Sequence, residues 1–306
     1  MGSEGLQERY INPYTDFGFK KLFGTEQNKE LLISFLNALL QGEQTVKDVT
    51  YLNTEHLGTQ EIDRRAVFDV YCEGENGEKF LVEMQRGEQQ FFKDRSLFYT
   101  TFPIREQASK GKGWDYELKS VYTVGILNFT FDNSSDEYYH HEVKLVDIRT
   151  KEVFYDKLTL IYLEMPKFNK EEQELETMFD KWMFVLRNLG NLMERPVALQ
   201  ERVFNRLFEA AEIARFHRKE LVEYEDSLKA FRDWYSVMKT TLNKGREEGI
   251  AEGRIEGRIE GRIEGKAEGR AEEKIAIARQ MKANSLPAEV IAQCTGLSLE
   301  EINGLQ

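Results

Sequence analysis

The stretch VFDVYCEGENGEKFLVEMQ, residues 67–85, reads as two strand-like runs folded around a turn. One acid, Asp69, stands inside the first run, and Glu83-Met84-Gln85 ends the second. A carboxylate in a strand interior costs several kcal/mol when it is unpaired. Two acids on paired strands offset that cost by holding a divalent cation between them. Side chains alternate along a strand. Phe68, Val70 and Cys72 therefore share one face, and Asp69 and Tyr71 the other. Phe80, Val82 and Met84 likewise share a face, opposite Leu81, Glu83 and Gln85. A two-residue Asn76-Gly77 turn would set Asp69 opposite Met84. A three-residue loop, Glu75-Asn76-Gly77 with Gly77 left-handed, sets it opposite Glu83. Only the second register keeps the apolar residues on one face, so the sequence predicts it.

Three further segments belong with this hairpin. Near the N-terminus stands Asp16-x-x-Phe19-Lys20-x-x-Phe23. The segment LNTEHLG (52–58), followed by Arg64-Arg65, precedes the Asp69 strand. After Gln85, FFKDRSLFYT (91–100) supplies Arg95 and Tyr99 on a helix. Together the set resembles the PD-(D/E)xK nuclease fold, with Glu-x-Gln where (D/E)-x-K is usual. More narrowly it resembles the Rpn family of recombination-promoting nucleases, often labelled transposases.

The resemblance implies an α/β fold: a restriction-endonuclease-like α-β-β-β-α-β core with a helical C-terminal half. It implies a metal-dependent endonuclease that hydrolyses phosphodiester bonds in double-stranded DNA, linked to recombination or mobile elements. Asp69, Glu83 and the Met84 backbone carbonyl would hold Mg2+, with Mn2+ or Ca2+ as alternatives. Gln85 would orient the attacking water, but a neutral amide cannot stabilise hydroxide by charge. Lys20 is the candidate to supply that charge. Asp16 would bind metal or anchor Lys20, and Glu55 is a further metal candidate. Arg95, Tyr99, Lys21, Arg64 and Arg65 would contact DNA. The competing reading of Asp69 and Glu83 is an ion pair with Arg64, Arg65 or Arg95.

Composition bounds these expectations. The 306 residues suffice for one large or two modest domains. Net charge is −12, which opposes DNA binding unless a local basic surface supplies it. Two distant cysteines, Cys72 and Cys294, form no disulfide framework or metal-ligand spacing, and this fits a cytoplasmic protein. No apolar run reaches the ~20 residues of a membrane helix. No Walker loop or nucleophile elbow is present.

Four parts follow along the chain. Residues 1–165 hold the nuclease core: a helix over 28–41, a strand near 46–52, the hairpin, a helix over 89–107, and strands at 121–131 and 158–165. Pro103 is expected to kink or end the second helix. Residues 166–244 read as helices, including 171–189 and 198–216, that pack on the core or on a partner. Their aromatic stripe (Phe179, Trp182, Phe184, Phe231, Trp234) reads as core. Residues 245–273 repeat Gly-Arg-Ile-Glu with a period of four. On a helix each residue type then forms a stripe that drifts 40° per repeat. Like charges fall at i, i+4, and each glycine costs ~1 kcal/mol, so a lone helix is marginal. Two readings stay open: a helix stabilised by assembly into a homo-oligomer, or a flexible spacer. Residues 274–306 form a small helix-turn-helix-like module around Thr295-Gly296.

The runner-up function is a catalytically weak nuclease fold that serves as an interaction or DNA-binding module, assembled through the repeat.

Overall fold

The computed structural model describes residues 8–53, 55–56, 66–108, 115–131 and 138–305, with the side chains of 55–56 and 66–67 left aside. The chain divides into two units, one ending at Arg232 and one from Asp233 to Gln306.

Helix α1 (Asp16–Phe23) starts where Thr15 accepts a hydrogen bond from the Gly18 amide. Thr15 is thus the cap, and Asp16 takes the first helical position, where its charge favours the helix dipole. Helix α2 (Lys29–Leu39) buries Leu31, Leu32, Phe35, Leu36 and Leu39, the face that the i, i+4 spacing marks. Strand β1 (Val49–Tyr51) follows, then the short pair β2 (Glu55–His56) and β3 (Ala66–Val67). The hairpin strands are β4 (Val70–Gly74) and β5 (Lys79–Gln85). Helix α3 (Phe92–Glu106) carries the chain to β6 (Val121–Leu127), and β7 (His140–Val146) and β8 (Val153–Glu164) complete one six-stranded sheet. Its order is β1-β4-β5-β6-β8-β7. Strands β5, β6 and β8 are parallel, and the other pairings are antiparallel.

Apolar layers cover both faces of the sheet. One cluster joins Val70, Cys72, Phe80, Val82, Met84, Val124 and Ile161 to α1, α2, and the later helices α4 (Met178–Asn188) and α5 (Arg202–Ala211). Trp182 lies fully buried within it against Phe23, Phe35 and Phe204. The other cluster joins Tyr71, Leu81, Leu127, Leu160 and Tyr162 to Phe92 and Phe102 of α3.

Several expectations need adjustment. The acid-bearing face of the hairpin is covered too: Tyr71 and Leu81 are buried beneath α3, and Asp69 and Glu83 are part-buried. Asp69 is not inside a strand: the backbone bends at Phe68–Asp69, and β4 starts at Val70. The bend moves Phe68 to the α3 side, where it packs on Tyr99 and Phe102. Helix α3 runs through Pro103 to Glu106, because a proline this near the end forfeits one bond in a turn that is closing anyway. Helix α4 starts at Met178, seven residues later than expected, where Thr177 and Asp180 form a capping box. Strand β7 was not anticipated. It is a half-exposed edge, and its histidines and charges weaken the alternating signal.

Helix α6 (Arg218–Ala283) enters the first unit's core through Tyr224, whose hydroxyl accepts from the Asn12 amide. In the second unit the same helix is continuous through the four-residue repeat. Ile255, Ile259 and Ile263 are exposed there, and a Cβ on any of Gly245 to Gly269 would meet nothing within 4 Å. The end of α6 packs with α7 (Ala288–Thr295) and α8 (Leu299–Gly304) around Ala278, Ile291 and Ile302. Gly296, left-handed at φ 70°, makes the turn, and Ser298 and Glu301 form the capping box that starts α8.

Candidate active site

The hairpin register decides whether there is a site. Val70 pairs with Val82, Tyr71 with Leu81, Cys72 with Phe80 and Glu73 with Lys79. The ladder ends there; Asp69 is the next residue, in the bend, and its charge is close enough to raise the Glu83 carboxyl. The turn is the three-residue loop: the Gly74 amide donates to Glu78 O, and Gly77 lies at φ 90°. The Gly74–Glu78 bond also fixes the phase of the ladder, making Val70–Val82 a hydrogen-bonded pair. Continued one step past the strand, that phase would set Asp69 and Glu83 at a non-hydrogen-bonded position, where facing side chains come closest.

The end of β4 leaves a gap in the sheet. Odd-numbered residues of β5 bond to β6, as the Lys79 N–H and the Gln85 carbonyl do at its two ends. Even-numbered residues bond toward β4. Met84 is the first of these beyond the reach of β4, so its amide is stranded. The Asp69 carboxylate accepts from it, Oδ2 at 2.8 Å. A strand residue points its N–H and C=O to the same side. The Met84 carbonyl therefore lies on this edge beside Asp69.

Electrostatics single out the pair. Burial pushes the Asp69 carboxyl up; the Met84 amide lowers it, Asp16 raises it, and Lys20 and Arg86 lower it. Burial is also the main cause at Glu83, with the Asp69 charge next, and Arg95 opposes both; its carboxyl is pushed up to about 7. Tyr99 is pushed up by burial and then by Glu83. Two part-buried carboxylates stand close together, and burial opposes the charge on each.

Arg95 is the near cation. Its Nη2 lies 3.9 Å from Glu83 Oε2, longer than a hydrogen bond. The same nitrogen donates to Gln85 Oε1 at 2.6 Å. Gln89 accepts from Nη1, and the guanidinium lies over the rings of Phe92 and Tyr99. Gln85 Nε2 donates to Gly87 O at 3.0 Å. In this arrangement Gln85 holds Arg95 and the following loop.

The remaining expected residues divide. Lys20 pairs with Asp16 at 2.9 Å, and both are close enough to bias Asp69. Tyr99 packs edge-on against Phe68 beside the acids. Lys21 is not brought to the site, because Glu220 pairs with it and it lies over the Phe216 ring. Arg64 and Arg65 lie outside the described residues, as does the Glu55 side chain. Sequence reading missed Gln89 as an anchor of Arg95 and Tyr162 as a neighbour. Tyr162 bonds Ser96 at 2.6 Å and is pushed up by burial and by Glu83. Spacing from Gln85 could have suggested Gln89, but nothing local marks Tyr162.

A profile of PD-(D/E)XK nuclease family transposases matches residues 13–241. The chain belongs to that family. The match spans the hairpin, α3 and the helices through most of the first unit, and it brings the α/β nuclease fold with it. Comparison with curated proteins and with solved structures gives no match. Membership supports nuclease activity linked to mobile elements, and PD-(D/E)XK nucleases generally use divalent metals.

Among the described residues no three His, Cys, Asp or Glu side chains stand together as a ready metal cage. The donor chemistry nevertheless fits a hard cation. Two desolvated carboxylates and a strand-edge carbonyl offer oxygen ligands only, and waters would complete the set. Among the described residues, no helix is long and apolar enough to cross a membrane.

Proposed function

We propose that the chain is a metal-dependent endonuclease that hydrolyses phosphodiester bonds of double-stranded DNA in recombination or element mobility. The observation that carries this is Asp69 set beside Glu83 at the end of the β4–β5 ladder, both part-buried and both with carboxyls raised by that burial. Asp69, Glu83 and the Met84 carbonyl would hold Mg2+, or Mn2+ or Ca2+ in its place. A bound divalent ion lowers the pKa of water and neutralises charge on a phosphate.

The chain's own residues do the rest. Asp69 is fixed by the Met84 amide, so one carboxylate oxygen is already oriented. Glu83 must give up its proton to bind a cation, which ties metal affinity to pH. Gln85 acts as a positioning residue: it fixes the Arg95 guanidinium beside Glu83, where the remaining N–H groups would donate to phosphate oxygens. Lys20, steadied by Asp16, supplies positive charge near Asp69. Tyr99 borders the same space. This local cationic set answers the overall charge of −12.

Plasmid nicking with Mg2+, Mn2+, Ca2+ or EDTA tests the reading. Wild type should cut only with metal, and Asp69→Ala and Glu83→Gln should not cut. No cutting with any metal, or equal cutting by the variants, would sink it.

The runner-up is an interaction module assembled through the repeat. The exposed isoleucine row along the continuous helix favours self-association, and glycine rows allow close helix approach. Assembly through the repeat is compatible with an active or an inactive nuclease fold, and the nicking result separates the two.

A further inference from the structure

Two adjacent phenylalanines, Phe91 and Phe92, open α3 six and seven residues after Gln85. Phe92 is buried against Phe129 and Tyr162. Phe91 is 68% exposed, and among the described residues it takes part in no ring contact. Its backbone sits at φ 63°, ψ 30°, in the left-handed region. A bulky residue there is a true outlier, and such strain persists only where the surroundings impose it. Folding gains nothing from that exposed ring in that conformation, and glycine would meet the backbone requirement better.

The loop that leads to Phe91 is tied to the candidate site by side-chain bonds. The Arg95 amide donates to Phe91 O at 3.0 Å, and the Phe92 amide to Gln89 O at 3.1 Å. The Arg95 guanidinium grips Gln89 and Gln85, and Gln85 in turn holds Gly87. The loop from Arg86 to Phe91 is thereby pinned at both ends by residues beside Glu83. Cations interleave with it: Arg86 is near enough to bias Asp69, Arg95 lies at Glu83, and Lys93 stands over the Phe131 ring at 4.5 Å. An exposed aromatic among phosphate-seeking cations is the arrangement that stacks a nucleobase while the backbone is held.

We propose that Phe91 is a base-stacking residue that grips the nucleobase flanking the scissile phosphate. This rests on the nuclease reading above. The base would come either from a single strand or from a duplex step opened on binding.

The experiment measures fluorescence anisotropy of the full chain in Ca2+ with three labelled probes. They are a short single strand, the matching duplex, and an abasic strand that keeps the phosphates but has no bases. The proteins are wild type, Phe91→Gly and Phe91→Trp. Wild type should bind base-bearing DNA about ten-fold tighter than the abasic strand. Phe91→Gly should abolish that preference, leave abasic binding unchanged and raise the urea midpoint by relieving the backbone. Phe91→Trp should keep the preference. Loss confined to the single strand identifies an unpaired base as the ligand, and loss on both probes identifies an opened duplex step. Equal weakening on the abasic probe, or no weakening on any, overturns the proposal while leaving the nuclease reading intact. Failure of wild type to bind any probe overturns both.

Discussion

Replacing Glu83 by glutamine should make the metal-free protein more stable at pH 8 and leave it nearly unchanged at pH 5. The Glu83 carboxyl is raised from its ordinary 4.5 to about 7, chiefly by burial and then by Asp69. Between those limits the native state holds a proton that the unfolded chain has lost. Stability therefore falls as pH rises through that window, and the full cost is present above pH 7. The gap corresponds to ~3 kcal/mol. Glutamine keeps the shape and removes the charge, so that cost disappears. Urea denaturation in EDTA at the two pH values reads the difference, followed by the fluorescence of buried Trp182. With a urea slope of ~3 kcal/mol per molar, the variant's midpoint should exceed wild type by ~1 M at pH 8. Adding Mg2+ at about a hundred times its dissociation constant should restore ~2.7 kcal/mol to wild type and nothing to the variant. A variant that is less stable than wild type at pH 8, or shifted equally at both pH values, would refute the argument that Glu83 is an unsatisfied charge awaiting a cation.

Other outcomes follow from the same contacts. Mg2+ affinity measured by calorimetry should fall as pH drops below about 7, approaching ten-fold per pH unit, because the cation must displace the Glu83 proton. Gln85→Lys, which restores the residue usual in this fold, should lose activity and ~1–2 kcal/mol of stability, since its ammonium would meet Arg95 where the Gln85 oxygen now accepts at 2.6 Å; a gain in cutting rate would contradict the positioning role of Gln85. Trp182→Ala should cost ~3–5 kcal/mol by leaving a cavity among Phe23, Phe35 and Phe204, as read by the same urea titration. A peptide of residues 245–273 should show little helix by circular dichroism, and its helix content should rise with concentration if assembly supports it.

What could be read from the sequence was what local rules dictate. Gly77 needs a left-handed backbone, so the loop length, the register and the facing of Asp69 and Glu83 all followed from one glycine and an alternating pattern. Leu31 to Leu39 marked α2 in the same way. What escaped depends on contacts distant in sequence. The bend at Phe68–Asp69 exists because Phe68 is drawn toward Tyr99 and Phe102, thirty and more residues later. The burial of the acidic face depends on α3 covering it, which no alternation in β4 or β5 can show. Lys21 and Lys20 are adjacent in sequence, and only the fold sends one to Glu220 and the other toward Asp69.

The departure from the usual motif has a physical resolution in these contacts. A lysine after Glu-x would bring positive charge directly to the paired carboxylates. Here that position is a neutral amide, so taken alone the sequence leaves the site short of one charge. The Gln85 oxygen, however, accepts from Arg95 and holds its guanidinium 3.9 Å from Glu83. The Gln89 side chain and the rings of Phe92 and Tyr99 fix the same group from other sides. A guanidinium stays charged at any working pH. On the proposed reading, the charge missing from the strand comes from the helix, with Gln85 as its anchor. Exchanging both residues together, Gln85→Lys with Arg95→Gln, should therefore recover more metal-dependent cutting than Gln85→Lys alone. A double variant no better than the single one would show that Arg95 contributes something a lysine at position 85 cannot.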